Sequence, residues 1–278
     1  MNPTSSLAQT EDWSTSVRAR PSPAGRGWDW DSLSWLAPGV PLRQVICILG
    51  AGQDAVAEPI RLLHTRLQKL QEKRPLKSVM ISSALPDEGK SFVALNLAAI
   101  MSQHPGSRVL LLEADLRWPS YGCTLGLDPV AGLADYCGSG EGLAKFVYRI
   151  RGANLCLLPA GGLAGRPMDV LASGRMAQAL EEAGQVFDWV LVDSAPLVPV
   201  ADSAALGQLC DGLLLVVRRN RAMHAAMREA LERIEPAKLL GLVLNDFPSL
   251  QSSKTYFTKA AEPANQGPIS ITGYRQSL

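Results

Sequence analysis

The feature that most constrains the fold of this 278-residue chain is a strand–loop–helix pattern between residues 77 and 104. The segment KSVMISS has the length and apolar character of a strand covered on both faces, and a helical hydrophobic period follows it. Between them lies ALPDEGKS, which matches the phosphate-loop pattern G-x-x-x-x-G-K-[ST] with Ala84 in place of the first glycine. Such a loop directs backbone N–H groups and a helix N-terminus at an anion, so the sequence predicts a nucleotide site.

The last residues of this loop have specific expected roles. Lys90 would bridge the β- and γ-phosphates of ATP, and the hydroxyl of Ser91 would ligate Mg²⁺. Asp87 stands where many such loops use glycine to reach a positive φ, a conformation that Asp tolerates better than most residues. We expect the side chains of Asp87 and Glu88 to point outward, because they would otherwise bring negative charge close to a triphosphate. The remaining residues expected to contact ATP along the loop are Pro86, Gly89 and Phe92.

Five further apolar segments indicate how the fold continues. They read SRVLLLEAD, NLCLLPAG, FDWVLVDSAP, DGLLLVV and LLGLVLNDF, and each is continuously apolar rather than alternating, as in strands buried on both faces. Helical patterns separate most of them, and a helix from Asp54 to Lys73 follows a short predicted strand in PLRQVICILG. Alternating strands and helices predict an α/β fold of the P-loop NTPase type, a doubly wound, mostly parallel sheet flanked by helices.

Sustained hydrophobic patterns occupy residues 42–248, which we predict to be a single P-loop domain that binds the nucleotide. Residues 1–41 are rich in Ser, Pro, Gly and Arg and are predicted to be disordered, and residues 249–278 form a predicted flexible tail. The first segment contains three tryptophans, which either pack against the domain or dock on a partner. These are Trp28, Trp30 and Trp35.

Three acidic residues follow two of the predicted strands. Glu113 and Asp115 are two residues apart at the end of VLLL, so their side chains lie on the same side, and Asp193 closes WVLVD in the manner of a Walker B motif. The carboxyl ends of parallel strands are where α/β sites lie. We therefore predict that these acids and Lys90 form the catalytic group, with Ser91, Asp115 and Asp193 as Mg²⁺ ligands.

The segments SALPDEGKS, VLLLEADLRWP and FDWVLVDSAPLVPVADS together resemble the bacterial tyrosine kinases (BY-kinases) of capsule and exopolysaccharide systems, over about residues 55–247. The resemblance implies transfer of the γ-phosphoryl group of ATP·Mg²⁺ to tyrosines of the chain itself or of a partner. It implies that Asp115 is the second acid of the Walker A′ motif. Glu113 stands where the family usually has an Asp thought to orient or deprotonate the tyrosine hydroxyl.

The resemblance also implies roles away from these motifs. Asn245 resembles a base-recognition position, which adds it to the expected ATP contacts. The family's ring-forming E-x-x-R-x-x-R helix reads here Glu58, Arg61 and His64, so a homo-oligomer is expected, with His in place of the final Arg. The family's C-terminal tyrosine cluster is reduced to the candidate phosphoacceptors Tyr256 and Tyr274.

Composition limits the expected partners. The formal charge is +1, from 27 basic and 26 acidic residues, which gives no field that favours nucleic acid. No apolar run approaches the roughly 18–20 residues of a spanning helix, and the five scattered cysteines suit a reduced compartment. We therefore expect a cytoplasmic chain with no direct membrane span. Together with this, the resemblance implies recruitment to the inner face of the cell membrane by an adaptor or polysaccharide co-polymerase protein.

Two alternatives remain beside the kinase. A Min/Par-type positioning ATPase carries a signature lysine five residues before the loop lysine, where this chain has Leu85. An ATP-binding regulatory relative of the kinases, without transfer activity, is favoured by Glu113, His64 and the few C-terminal tyrosines.

Overall fold

A computed structural model describes Trp28 and residues 32–46, 54–162, 166–219 and 224–245. The strands of this part are β1 (Trp35–Leu36), β2 (Ser78–Ser83), β3 (Val109–Glu113), β4 (Tyr148–Ile150), β5 (Cys156–Leu158), β6 (Trp189–Asp193), β7 (Gly212–Arg218) and β8 (Leu239–Asn245). Its α-helices are α1 (Leu42–Val45), α2 (Asp54–Gln71), α3 (Lys90–Ser102), α4 (Tyr121–Leu125), α5 (Leu133–Gly138), α6 (Pro167–Leu171), α7 (Gly174–Val186), α8 (Asp202–Leu209) and α9 (His224–Glu232). Short 3₁₀ helices cover Leu143–Phe146 and Pro236–Lys238.

The eight strands form one sheet in the order β1-β4-β5-β3-β6-β2-β7-β8. Only β4 and β5 pair in antiparallel fashion, and every other neighbouring pair is parallel. This confirms the predicted doubly wound sheet. After β2 the chain places β3, β4, β5 and β6 on one side of β2, and it then crosses to place β7 and β8 on the other side.

Side chains of the central strands alternate between two cores, one on each face of the sheet. On β2, Met80 enters the core that contains helices α5 to α8, while Val79 and Ile81 enter the core formed with α2, α3 and α4. All six residues of β2 and all five of β3 and of β6 are buried. Continuous apolar runs therefore mark strands covered on both faces, as the sequence predicted.

The parallel register brings the predicted site together at one edge of the sheet. Glu113 on β3 and Ile81 on β2 both lie opposite Asp193 on β6, so the loops after these three strands leave the sheet side by side. The neighbouring strand β7 ends at Arg218, which lies opposite Asn245 of β8. Residues distant in sequence thus surround the loop that follows β2.

Residues 32–41 are ordered as part of this domain, which corrects the disorder predicted there. Strand β1 pairs with β4, and the guanidinium of Arg149 lies 4.2 Å from the ring centroid of Trp35. The ring of Trp28 meets that of Phe187 edge-on at 5.8 Å. The two tryptophans therefore pack intramolecularly. Their partners, Arg149 and Phe187, are distant in the sequence, so the polar composition of residues 1–41 did not indicate these contacts.

One other expectation concerns secondary structure. The strand predicted in PLRQVICILG is wrong over its first part, because residues 42–45 form the helical turn α1. Between β5 and β6 the chain forms two helices, α6 and α7, which are separated near Ser173. Trp30 and residues 249–278 lie outside the described residues. None of the described helices is both long enough and apolar enough to cross a membrane.

Candidate active site

The loop between β2 and α3 has the backbone expected of a phosphate loop. Asp87 has a φ of 61° and is the non-glycine residue of the described chain with a positive φ, and Gly89 has a φ of 90°. A Cβ atom on Gly89 would lie 2.0 Å from Nδ2 of Asn245, so only glycine fits there. Helix α3 begins at Lys90, which confirms that the loop leads directly into a helix N-terminus.

Glu88 points into the protein, and the expectation that its side chain faces outward is wrong. Its carboxylate is fully buried and accepts hydrogen bonds from the backbone N–H of Leu85, at 2.8 Å, and of Arg218, at 3.3 Å. The two amides satisfy the buried charge, and they join the loop to the end of β7. Asp87, by contrast, is exposed as expected.

Asn245 and Arg218 also bind the backbone of the loop. The side-chain amide of Asn245 donates to the carbonyl oxygen of Glu88 at 2.9 Å, and Nη1 of Arg218 donates to that of Asp87 at 3.2 Å. The structure thus brings Asn245 to the nucleotide loop, where it supports the loop itself. Its contact with a base stays a prediction.

Lys90 is paired with Asp115. The Lys90 Nζ lies 2.9 Å from Oδ2 of Asp115, and the two side chains are 14% and 3% exposed. The other oxygen of Asp115 accepts a hydrogen bond from the backbone N–H of Trp118 at 3.2 Å. Lys90, the predicted phosphate ligand, and Asp115, the predicted second acid of the Walker A′ motif, are therefore in direct contact.

Asp193 is buried, and although the hydroxyls of Ser91 and Tyr121 lie close to its carboxylate, neither oxygen makes a well-formed hydrogen bond with any residue in the described part of the chain. Burial raises its pKa to about 7, and the charge of Glu113 adds to this. The positive charge of Lys90 and the hydroxyls of Ser91 and Tyr121 act in the opposite direction and lower the pKa. A buried carboxyl group without well-formed hydrogen bonds is costly, so this one is suited to a ligand that brings positive charge.

These residues fit a Mg²⁺ ion that is shared with a nucleotide. Mg²⁺ is commonly held by one or two carboxylates together with phosphate oxygens and water. The unpartnered oxygens of Asp193 and the adjacent hydroxyl of Ser91 supply two such ligands, while Asp115 is engaged by Lys90. No group of three or more His, Cys, Asp or Glu side chains placed to hold a metal occurs among the described residues.

Glu113 is occupied by backbone amides rather than open to a substrate. Its Oε1 accepts hydrogen bonds from the N–H groups of Ser120, at 2.5 Å, and Tyr121, at 2.9 Å, and its Oε2 accepts one from Ala160 at 3.1 Å. Burial raises the pKa of Glu113, the three amides oppose that rise, and the charge of Asp115 adds to it. The geometry makes Glu113 a residue that holds two loops together.

Tyr121 belongs to the site although no sequence motif indicated it. The residue is 1% exposed, and its hydroxyl donates to the backbone carbonyl of Ser91 at 3.3 Å. Burial raises the pKa of Tyr121 well above its usual value, and the charges of Asp193 and Glu113 contribute. A tyrosine at the start of the short helix α4 has no periodicity to reveal it, so only the fold shows this contact.

The residues expected to form an oligomer contact do not share one surface. Glu58 and Arg61 form an ion pair at 3.3 Å with side chains 49% and 42% exposed. His64 is buried, and burial lowers its pKa, with a smaller contribution from His104. His64 is thus unavailable as a surface contact in this structure. The candidate phosphoacceptors Tyr256 and Tyr274 lie outside the described residues.

The pKa of Asp193 makes a testable prediction about pH. Below about 7 the carboxyl group is protonated, whereas a Mg²⁺ ion would bind the carboxylate, so binding of the metal at lower pH would have to expel a proton. The affinity for Mg²⁺·ADP should therefore fall by up to about tenfold for each pH unit below the pKa. Calorimetric titrations of the wild type and Asp193→Asn at several pH values measure this, because the ratio of their affinities removes the titration of the nucleotide. A ratio that does not change with pH would contradict the assignment.

Comparison with known proteins agrees with the geometry, although no family model matches the chain. The tyrosine-protein kinase YwqD of Bacillus subtilis is 34% identical over 192 residues, which cover 68% of this chain and 80% of the relative. The succinoglycan biosynthesis transport protein ExoP of Rhizobium meliloti is 34% identical over 71% of this chain. The Escherichia coli tyrosine-protein kinase etk is 30% identical over 69%. The matched part spans only 26% of ExoP and 27% of etk.

Solved structures show the same relationship. The kinase domain of the Escherichia coli tyrosine kinase ETK superposes with a TM-score of 0.64 at 31% identity, covering 68% of this chain and 74% of that one. The VpsO kinase domain gives 0.63 at 26% identity, covering 68% and 93%. McdA from Cyanothece, at 20% identity and a TM-score of 0.51 with coverage of 69% and 81%, shares the fold alone.

Proposed function

This chain belongs to the bacterial tyrosine kinase family of exopolysaccharide systems, and from that premise we propose that it transfers the γ-phosphoryl group of ATP·Mg²⁺ to tyrosine. The observation that carries the proposal is the pair of Lys90 and Asp115, which lies at a helix N-terminus beside the unpartnered Asp193. A cation and two carboxylates at this point suit phosphoryl transfer, in which charge neutralisation and positioning supply most of the catalysis.

The mechanism follows from the partners of Lys90. When the γ-phosphate binds, Lys90 interacts with its oxygens and loosens its contact with Asp115, which is then able to accept a proton. Asp115 takes the proton of the tyrosine hydroxyl as the Oη–P bond forms and the bond between the γ-phosphorus and the β,γ-bridging oxygen breaks, leaving ADP. Ser91 and Asp193 would hold Mg²⁺, which would neutralise charge on the phosphates. Glu113 positions the surrounding loops.

The acceptors that we propose are Tyr256 and Tyr274 of the chain itself, together with tyrosines of a partner. ExoP and etk are about four times as long as their matched part, so in them the kinase region is one portion of a larger chain. We propose that a membrane adaptor protein recruits this chain to the inner face of the membrane, where phosphorylation regulates exopolysaccharide synthesis or export. The exposed Glu58 and Arg61 support a homo-oligomer contact on α2.

Mapping phosphotyrosine tests the proposal directly. Purified full-length chain incubated with ATP and Mg²⁺ should gain phosphate on Tyr256, Tyr274 or both, as detected by mass spectrometry. A variant with both residues changed to Phe should lose that signal while it still binds ATP, because Lys90, Ser91 and Asp193 of the predicted nucleotide site are unchanged. Absence of phosphotyrosine on the chain and on tyrosine copolymers would contradict the kinase proposal.

One observation favours a second function, that of an ATP-binding regulatory subunit without transfer activity. Both oxygens of Glu113 are engaged by backbone amides, so the acid that the family uses to orient the acceptor is not open here. Saturable binding of ATP·Mg²⁺ with no phosphotyrosine would select this alternative. The Min/Par-type ATPase has less support, since Leu85 replaces the signature lysine and the McdA likeness shows the fold alone.

A further inference from the structure

The indole of Trp118 is the most exposed large apolar side chain of the described residues, at 80%. It lies in the loop after β3, three residues beyond Asp115. Single exposed apolar residues are common, but tryptophan contributes so much on burial that most are covered. Trp189, on β6, is 3% exposed. Polar groups, rather than burial of this indole, shape the loop of Trp118.

The backbone around this exposed indole is fixed by buried carboxylates. The N–H of Trp118 donates to Asp115 at 3.2 Å, and the N–H of Ser120 donates to Glu113 at 2.5 Å. Both acids are almost completely buried. These bonds fix the backbone of the loop at the carboxyl ends of the strands, while the indole of Trp118 stays exposed.

A third anchor acts on the other side of the tryptophan. The Arg117 Nη2 lies 2.7 Å from Oδ2 of Asp202, whose side chain is 1% exposed. Because the residues before and after Trp118 are both held, the backbone that carries the indole loses little conformational freedom when another group packs on the side chain. A preorganised backbone lowers the entropic cost of binding a partner.

We propose that Trp118 is the residue that receives the acceptor, its indole packing against the ring of the tyrosine to be phosphorylated. This inference rests on the proposed function and names the recognition element of the same site. One carboxylate, Asp115, binds both the backbone N–H of Trp118 and the Nζ of Lys90, so the residue that carries the indole is one contact away from the phosphate ligand. Ring–ring contact explains a choice of tyrosine over serine or threonine, which offer no aromatic face.

The tyrosine that we expect to pack on Trp118 is Tyr256 of the chain itself. Strand β8 ends at Asn245, whose side chain binds the nucleotide loop, so the sequence that follows starts at this edge of the sheet. Tyr256 is eleven residues further on and is followed by Phe257. Eleven extended residues span up to roughly 36–40 Å, which is ample to reach Trp118 from the same edge.

A double-mutant cycle between Trp118 and the acceptor tests the inference. The protein is the full chain carrying Tyr256→Ser and Tyr274→Ser, with Mg²⁺·ADP present, and the probe is a fluorescent peptide of residues 249–263. Peptides with Tyr, Phe or Ser at position 256 are titrated by fluorescence anisotropy. We expect Tyr and Phe to bind about tenfold more tightly than Ser, and Trp118→Ala to remove at least fivefold of that preference. Trp118→Phe should retain most of it.

The control is Leu209→Ala, which removes another exposed apolar side chain, 41% exposed, at the end of α8. That end lies by Asp211, which binds the N–H of Ser78 at the start of β2, far from the nucleotide loop. Leu209→Ala should leave the preference intact, and unchanged melting temperatures verify folding. No saturable peptide binding, or an equal Tyr-to-Ser preference in Trp118→Ala and the wild type, would overturn the inference. A preference that depends on Trp118 without phosphotyrosine formation would sustain it and refute the kinase proposal alone.

Discussion

Replacing Lys90 with Met is expected to lower the rate of tyrosine phosphorylation by roughly 10³-fold or more. Lys90 pairs with Asp115, its positive charge lowers the pKa of Asp193, and it begins the helix whose N-terminus is expected to face the phosphates. Charge neutralisation of the transferring phosphoryl group provides most of the catalysis in this reaction class, and losses of this size follow removal of one such group. Quantitative mass spectrometry of phosphotyrosine during a time course with ATP·Mg²⁺ measures the effect.

The same substitution also affects stability, and this must be separated from catalysis. In Lys90→Met, Asp115 keeps its buried position without its cation, which costs on the order of 3 kcal/mol. Lys90→Met combined with Asp115→Asn removes both charges and should recover most of this loss in the free energy of unfolding. Activity should stay absent in the double variant. Phosphotyrosine formation that survives Lys90→Met at more than about a tenth of the wild-type rate would refute the role of Lys90.

Much of this site was predictable because its signals are local. Continuous apolar runs identified β2, β3 and β6, and acids at the ends of parallel strands must meet at one edge of the sheet. The positive φ of Asp87 followed from its place in the loop pattern. Each of these inferences depends on a few adjacent residues and on the geometry of a parallel sheet, so no distant contact was needed.

The orientation of Glu88 and Glu113 could not be obtained in this way. A buried carboxylate points towards backbone N–H groups, and the donors come from elsewhere in the chain. Arg218 is 130 positions from Glu88, and Ala160 is 47 positions from Glu113. No pattern within a strand or loop indicates such donors. From residue type alone, Glu88 was expected to point outward and Glu113 was expected to be catalytic. The ordered residues 32–41 were missed for the same reason, since β1 is only two residues long and depends on β4.

Replacing Glu113 with Ala is expected to destabilise the domain by about 4 kcal/mol, which would lower the melting temperature by roughly 10 °C. The substitution leaves the N–H groups of Ser120, Tyr121 and Ala160 without their shared acceptor in a buried region. Urea unfolding and thermal melts followed by circular dichroism measure the loss. Replacing Asp169, an exposed acid paired with Arg166, provides the control and should change stability by less than about 0.5 kcal/mol.

The informative variant is Glu113→Asp, which restores the family's usual residue. Aspartate is one methylene shorter and cannot reach both the Ser120–Tyr121 amides and Ala160 as Glu113 does, because these donors lie on two separate loops. We expect Glu113→Asp to lose about 1–2 kcal/mol of stability and to gain no phosphorylation rate. If Glu113 instead were a misplaced catalytic acid, Glu113→Asp would raise the rate at unchanged stability, by up to about 100-fold. The two roles therefore predict different outcomes for both stability and phosphorylation rate. This one substitution distinguishes a residue that holds the Walker A′ loop from one that acts on the acceptor.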